Sequence, residues 1–280
     1  MRLAGVITLY HPNKNFLSNI KTFLDQLDIL YVLDNTENPD ISIKKLFSEI
    51  EKVKYIAFGD NMGIAYAMNY ALKVSEGYDF LLTMDQDSHF MPGMMAKYKQ
   101  AIEAQEKINP QRTGVYSVNF DQRVDAVVPG YKKIDVAITS GSVISVHIAK
   151  AIGGFDEALF IDEVDNEFCY RVKKNGYDIL EFPSIILKHS LGHQTFHQIL
   201  GFHYNTFNHD KLRKYYMTRN RIYVLKKYPK IRCWYIKNIL KDIIKVILAE
   251  NDKKHKIGYI VKGIRDGITN HMGKLIEYHY

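Results

Sequence analysis

The stretch YDFLLTMDQDSHF, residues 78–90, decides the fold. Phe80 to Met84 is a short uncharged apolar run that reads as a buried strand. It ends on two carboxylates, Asp85 and Asp87, separated by one residue. Like charges that close repel, and a desolvated carboxylate is costly unless a cation or hydrogen bonds compensate it. Two readings are open. One is a solvated turn; the other is a pair aimed at a divalent cation that also binds phosphate oxygens, for which Mg²⁺ or Mn²⁺ suits oxygen donors better than zinc.

Upstream of this strand the same rhythm repeats. Candidate strands Ala4–Leu9, Leu30–Asp34, Val53–Phe58 and Phe80–Met84 alternate with helix-period segments Asn15–Leu27, Ile41–Ile50 and Ile64–Ser75. That alternation predicts an α/β fold with right-handed βαβ crossovers and a mostly parallel, Rossmann-like sheet flanked by helices. Ligands of such sheets collect at the carboxyl ends of the strands. The loops TLYHPN, DNTEN, GDNMG and DQDS all fall there, so they should converge on one crevice.

Each loop also has a plain structural reading. Asp34, Asn35 and Thr36 suit a turn or a helix cap. Gly59 and Gly63 flank a strand-to-helix junction where free amides favour an anion, but they match neither GxGxxG nor a P-loop. Further on, Asp156, Asp162, Glu163, Asp165 and Glu167 precede a helical stretch; acids in a first turn are favourable in their own right, yet five exceed what a cap requires. Cys169 reads as a small core residue.

Bulk properties bound the rest. The chain has 280 residues, 46% of them hydrophobic, enough for a large α/β domain with an appendage. Cys169 and Cys233 are its only cysteines and form no CxxC, which suits a reducing, cytoplasmic setting. The opening MRLAGVITLYHPN reads as a first strand, and no uncharged apolar run reaches the ~18 residues of a spanning helix. The net charge of +7 is uneven: from Lys211 onward 18 basic residues face 5 acidic ones, and before it 20 face 26. A boundary is therefore expected near residue 205, giving a catalytic domain over 1–205 and a basic helical region over 206–280.

In order and spacing, TLYHPN, LDNTEN, NMGIAYAMN, TMDQDS, ITSGSVIS, IGGFDEALFIDEVDNEFCYRVKKNGYDI and HSLGH resemble family 2 glycosyltransferases of the GT-A fold, and among them bacterial rhamnosyltransferases. The resemblance covers about residues 3 to 225. It implies that Thr8, Tyr10 and Asp34 hold the nucleoside of a sugar nucleotide and that Asn61 and Gly63 line the phosphate approach. DQD resembles a DxD metal motif: Asp87 coordinates Mg²⁺ or Mn²⁺ and Asp85 contacts metal or ribose. Asp165, six residues before Arg171, is then the base that takes the acceptor's proton, with Asp162 in reserve; Val164 replaces the family's usual Glu. His189 would add a metal ligand. Ser140, Gly141 and Ser142 would lie by the donor sugar or acceptor, and Arg219 of YYMTRNRIYVLKKYP by a phosphate, its simpler reading being a surface salt bridge.

The implied reaction is inverting transfer of L-rhamnose from dTDP-L-rhamnose to a glycan acceptor of a bacterial surface polysaccharide. A UDP-hexose donor, or a catalytically inactive sugar-nucleotide-binding assembly subunit, are the alternatives. Beyond the resemblance, Ile236, Ile239, Leu240, Ile243, Ile244, Ile247 and Leu248 repeat at helical spacing beside Lys237, Lys241 and Lys245. Such a helix packs on the catalytic domain or on a second subunit in a homodimer, or it lies on an anionic membrane next to a lipid-linked acceptor. No nucleic-acid recognition motif accompanies the basic surplus.

Overall fold

The computed structural model describes residues 1–13, 15–120, 130–188, 195–199, 202–206 and 208–276. Four strands open the chain at nearly the expected positions: β1 (Leu3–Leu9), β2 (Ile29–Asp34), β3 (Val53–Ala57) and β4 (Phe80–Asp85). Between them run α1 (Phe16–Ile20), α2 (Ile41–Phe47) and α3 (Ile64–Val74). β1 pairs in parallel with both β2 and β4, and β2 with β3. Then follow β5 (His89–Phe90), α4 (Met94–Ile108), β6 (Thr113–Asn119), β7 (Lys132–Lys133), β8 (Ser142–Ser145), α5 (Val146–Ala151), α6 (Val164–Lys174) and β9 (Asp178–Lys188).

Among the described residues the sheet has nine strands, ordered β3-β2-β1-β4-β8-β6-β9-β5, with β7 on β9. It is mixed: β8 runs antiparallel between β4 and β6, which the βαβ rhythm of the first half did not signal. Strand alternation sorts its two faces. Leu3, Ile7, Leu9, Leu30, Val32, Leu82, Met84, Tyr116 and Val143 join Phe16, Phe23, Phe47, Tyr98 and Ile102 in one core cluster. The opposite face takes Ala4, Val6, Thr8, Leu81 and Thr83, all buried, and α3 presents buried Ala65, Ala67, Met68, Ala71 and Leu72.

β9 shifts register at a residue that explains the shift. Its pairing with β6 jumps from Val118↔Phe182 to Asn119↔Ile186, and Pro183 lies in the skipped segment. Proline cannot donate to a ladder, so within a sheet it belongs at a bulge. Beyond it, Leu187 and Lys188 pair with Phe90 and His89, immediately after the acidic turn.

The segment expected as one helix, Asn15–Leu27, is a short α1 followed by a 3-10 turn at Leu24–Gln26. Tertiary hydrogen bonds draw on its polar side chains: Asn19 Nδ2 donates to Gln86 O (2.8 Å), and Thr22 Oγ1 accepts from Phe90 N (3.1 Å). Thr22 Oγ1 also donates to Asn19 O (2.7 Å), a local side-chain bond of the kind that competes with helix continuation.

The chain divides into two compact units, Met1–Asp156 with Val164–Ser190, and Glu157–Glu163 with Leu191–Tyr280. The second contains the hairpin β10 (Thr195–Ile199) and β11 (Phe202–Thr206), then α7 (Lys211–Lys227), α8 (Arg232–Ala249) and α9 (Lys253–Thr269). α9 approaches α7 through Gly263 and Gly267: a Cβ at either would come within 2.7 Å of a backbone oxygen, of Tyr215 and Arg219 respectively. Some of the basic residues there are held in ion pairs. Glu250 is buried between Lys214 (2.7 Å) and Lys256 (2.9 Å), and Arg221 pairs with Asp242 and Glu163.

Candidate active site

Parallel register brings the predicted residues of the first half to one edge. Thr8 is the lateral partner of Asp85, Leu9 of Asp34, and Asp34 of Ala57, so the loops after β1, β2, β3 and β4 leave the same end of the sheet. They are tied together by side chains. Gln86, the middle residue of DQD, accepts from Tyr10 N (2.9 Å) and donates to Tyr10 O (3.1 Å). Thr36 Oγ1 accepts from His11 N (3.0 Å), and Asn35 joins the third loop through Asn61 Oδ1 (3.1 Å) and Met62 N (2.8 Å).

Asp34 is fully buried, and both its oxygens are engaged, by Thr36 N (3.0 Å) and Tyr55 OH (2.7 Å). Burial, reinforced by the Asp34 carboxylate, pushes the Tyr55 phenol above its ordinary range. Asp34 thus braces the loop after β2. Tyr10 is open to solvent, its ring edge-on to His11 at 4.3 Å. Asn61 Oδ1 accepts from Gly63 N (3.1 Å), and Gly63 itself has φ 87°, which explains glycine ahead of α3. Thr8 Oγ1 is buried with no hydrogen-bond partner among the described residues, an acceptor and donor facing the side of the sheet on which Asp85 stands.

The TSGS segment links the acidic turn to the second half. Ser140 Oγ accepts from Asp85 N (3.1 Å), Gly141 N donates to Thr83 O (2.8 Å), and Thr83 Oγ1 donates to Thr139 O and Ser142 O. Gly141 has φ 79°, and a Cβ there would lie 2.8 Å from side-chain carbons of both Leu187 and Val118. Ser140 and Ser142 are buried, so they build the floor. Thr139 and Ser142 border, with Asp165, Phe168 and Cys169, a narrow apolar gap of about 10 Å³, roughly the room of one water. Asp165 stands half-buried in the first turn of α6, its Oδ1 accepting from Asn166 N (2.9 Å). Arg171 holds α6 through Glu167 (2.7 Å) and Ile152 O (3.0 Å), while its Nε has no hydrogen-bond partner among the described residues.

In the second unit, Asp162 lies in a strained turn; it, Phe160 and Glu163 each have φ 63°. Burial raises the Asp162 carboxyl against the opposing charge of Arg213, whose Nε is 2.7 Å away but out of line for a hydrogen bond. Asn220 Nδ2 donates to Leu159 O (2.8 Å), Ile161 O and Asp162 O (2.9 Å), and Arg219 donates to Leu159 O (3.2 Å) and Gly273 O (2.6 Å). Arg219 is therefore no surface salt bridge: it is buried and its guanidinium is committed to carbonyls. Sequence reading missed Gln86, Tyr55 and Asn220, because a lone amide or phenol carries no spacing signal.

His189 lies outside the described residues. Among those described, no cluster of three or more His, Cys, Asp or Glu side chains could hold a metal ion. Asp85 and Asp87 still fit a hard divalent cation, since such an ion needs only one or two carboxylates when phosphate oxygens complete its shell.

Cys169 is buried and its thiol is pushed up to about 12, chiefly by desolvation, whereas Cys233 is exposed. A thiolate-selective reagent should label the folded protein once, at Cys233, and reach Cys169 only on denaturation. Mass mapping of two labels on native protein would contradict this burial.

Residues 6–152 match the glycosyl transferase family 2 model. Over 97% of both chains, this protein is 29% identical to the dTDP-rhamnosyl transferase RfbF of Shigella flexneri. Its fold resembles GalNAc-T7 solved with UDP, GalNAc and Mn²⁺ (TM-score 0.61, 12% identity), covering 97% of this chain and 58% of that one. It also resembles residues 1–349 of S. aureus TarS solved with UDP-GlcNAc (TM-score 0.53, 13% identity), covering 96% of this chain and 73% of that one. With its GT-A-like sheet and the loops gathered at its carboxyl edge, the chain belongs to glycosyl transferase family 2.

Proposed function

We propose that this glycosyltransferase moves L-rhamnose from dTDP-L-rhamnose to a glycan acceptor, by an inverting reaction in which Asp165 is the base. The observation that carries the reading is the placement of residues 139–142: Ser140 fixes the backbone of Asp85, and Thr139 and Ser142 border the same narrow apolar gap as Asp165. One loop thus bonds to the acidic turn and lies near the candidate base. The rhamnose donor is supported by the Shigella relative, which matches along nearly its whole length.

Asp85 and Asp87 would hold Mg²⁺ or Mn²⁺, which supplies Lewis-acid stabilisation of the departing nucleoside diphosphate. Tyr10 and the braced loop at Asp34 bind the nucleoside, Asn61 and Gly63 the phosphate side, and Thr8 Oγ1 offers a buried hydroxyl. Asp165 accepts the proton of the acceptor hydroxyl as that oxygen attacks the anomeric carbon and the bond to the diphosphate breaks. A lipid-linked glycan, met at a cytoplasmic membrane face, is the acceptor that a surface polysaccharide implies.

A second reading, a UDP-sugar donor, has support in the UDP and UDP-GlcNAc of the two solved relatives. A donor panel separates them: dTDP-rhamnose with Mn²⁺ should give nucleoside diphosphate release and a metal-dependent thermal shift. Release from UDP-hexoses alone would overturn the rhamnose assignment.

A further inference from the structure

α8 presents three stripes in a repeating order. Tyr235, Ile239 and Val246 are buried; Ile236, Leu240 and Ile247, one residue on, are 45%, 55% and 51% exposed. Lys237 and Lys241 come one residue further again, and Lys245 directly follows exposed Ile244. Each step of one residue turns about 100° around a helix. The helix therefore buries one side, exposes an apolar stripe beside it and carries a lysine row along the far edge of that stripe. Trp234, the chain's only tryptophan, is 56% exposed at its start.

We infer that this outer face of α8 docks on an anionic bilayer, with the apolar stripe sunk at the headgroup boundary and Lys237, Lys241 and Lys245 reaching lipid phosphates. Charge decides between a bilayer and a second copy of the chain. From Arg232 to Ala249 there is a single acid, Asp242, and it is paired with Arg221. A two-fold contact through this face sets the lysine row against itself with no carboxylate to answer it. An anionic headgroup layer answers every lysine, while a long lysine stem covers apolar surface and keeps its ammonium at the lipid phosphates. Among the described residues no helix is long and apolar enough to cross a membrane, so the contact is with one leaflet surface. The inference deepens the lipid-linked acceptor named above, but needs neither donor nor turnover for its test.

The experiment is flotation of the whole chain with phosphatidylglycerol and with phosphatidylcholine vesicles, without nucleotide, following Trp234 emission. Expected are flotation and a blue shift with the anionic vesicles only, both reversed by high salt. Lys237→Glu with Lys241→Glu and Lys245→Glu, and separately Leu240→Ser with Ile244→Ser, should each weaken vesicle partitioning at least about tenfold. Lys237, Leu240, Lys241 and Ile244 are exposed and Lys245 is half-buried at the edge of that face, so far-UV spectra and turnover of a water-soluble acceptor should be unchanged. Failure to float on anionic vesicles overturns the inference, as does equal flotation on phosphatidylcholine. So does a sedimenting dimer whose Trp234 is already blue-shifted in buffer and which Leu240→Ser dissociates. Vesicle binding without any sugar transfer would leave this inference standing and sink the proposed function instead.

Discussion

Asp87→Ala should abolish sugar transfer, by about 10³-fold or more in kcat, while leaving the melting temperature of the free protein almost unchanged. Asp87 is exposed in the turn after β4; trimming it removes a long bond from Ser88 Oγ (3.4 Å), while Ser88 N still donates to Asp85 O (3.2 Å) and holds the backbone of the turn. Surface substitutions of this kind stay within about 0.5 kcal/mol of wild-type stability. Its chemical loss is of another order, because in the proposed reaction these carboxylates would hold the cation that offsets the negative charge developing on the departing diphosphate.

Paired with Asp165→Asn, the experiment assigns roles. Wild type should gain stability with Mn²⁺ and nucleoside diphosphate, by about 2.7 kcal/mol at a hundredfold excess over Kd. Asp87→Ala should lose that gain. Asp165→Asn should keep it and lose turnover, since a base acts on the acceptor and not on the nucleotide. Calorimetric titration with kinetics on the same preparations checks both; an Asp87→Ala enzyme that still turns over, or an Asp165→Asn enzyme that no longer binds nucleotide, would contradict the assignment.

Asn220→Ala should be the most destabilising single change in the second unit. The side chain is fully buried and its one amide nitrogen serves three carbonyls of the turn at Leu159 to Asp162. Each buried polar group left unsatisfied costs about 1–3 kcal/mol, so a loss of about 3 kcal/mol or more is expected. In a protein of this size that lowers Tm by roughly 10 °C. The turn has no slack, since Phe160, Asp162 and Glu163 are all held at φ 63°. Arg219→Lys discriminates further. If Arg219 is a carbonyl latch, as its bonds to Leu159 O and Gly273 O indicate, Tm falls and nucleotide affinity is unmoved. A phosphate contact would give the reverse pattern in a thermal melt and a nucleotide titration.

What was legible in the sequence follows from locality. β1 to β4 and the helices between them declared themselves by apolar period, and the observed strands fall within a residue of the expected ends. The acidic turn was legible for the same reason, as charge placed where a buried strand stops. Local pattern also misled: Asn15–Leu27 has helical period, but Asn19 and Thr22 bond to residues about seventy positions away and the helix ends early. Arg219 stood out by resemblance, yet its burial and that of Asn220 beside it depend on carbonyls near residue 160 that no spacing rule connects to them.

The sequence by itself determined the parallel β-α succession, the edge at which its loops gather and the carboxylates carried there, because hydrophobic period and strand direction are properties of neighbouring residues. Only the tertiary structure decided that β8 inserts antiparallel beside β4, that β9 shifts register at Pro183, and that residues 139–142 bond to Asp85 and border the same gap as Asp165. Those facts rest on pairings between segments tens of residues apart, whose partners are chosen by the packing of the whole chain and not by any stretch of it.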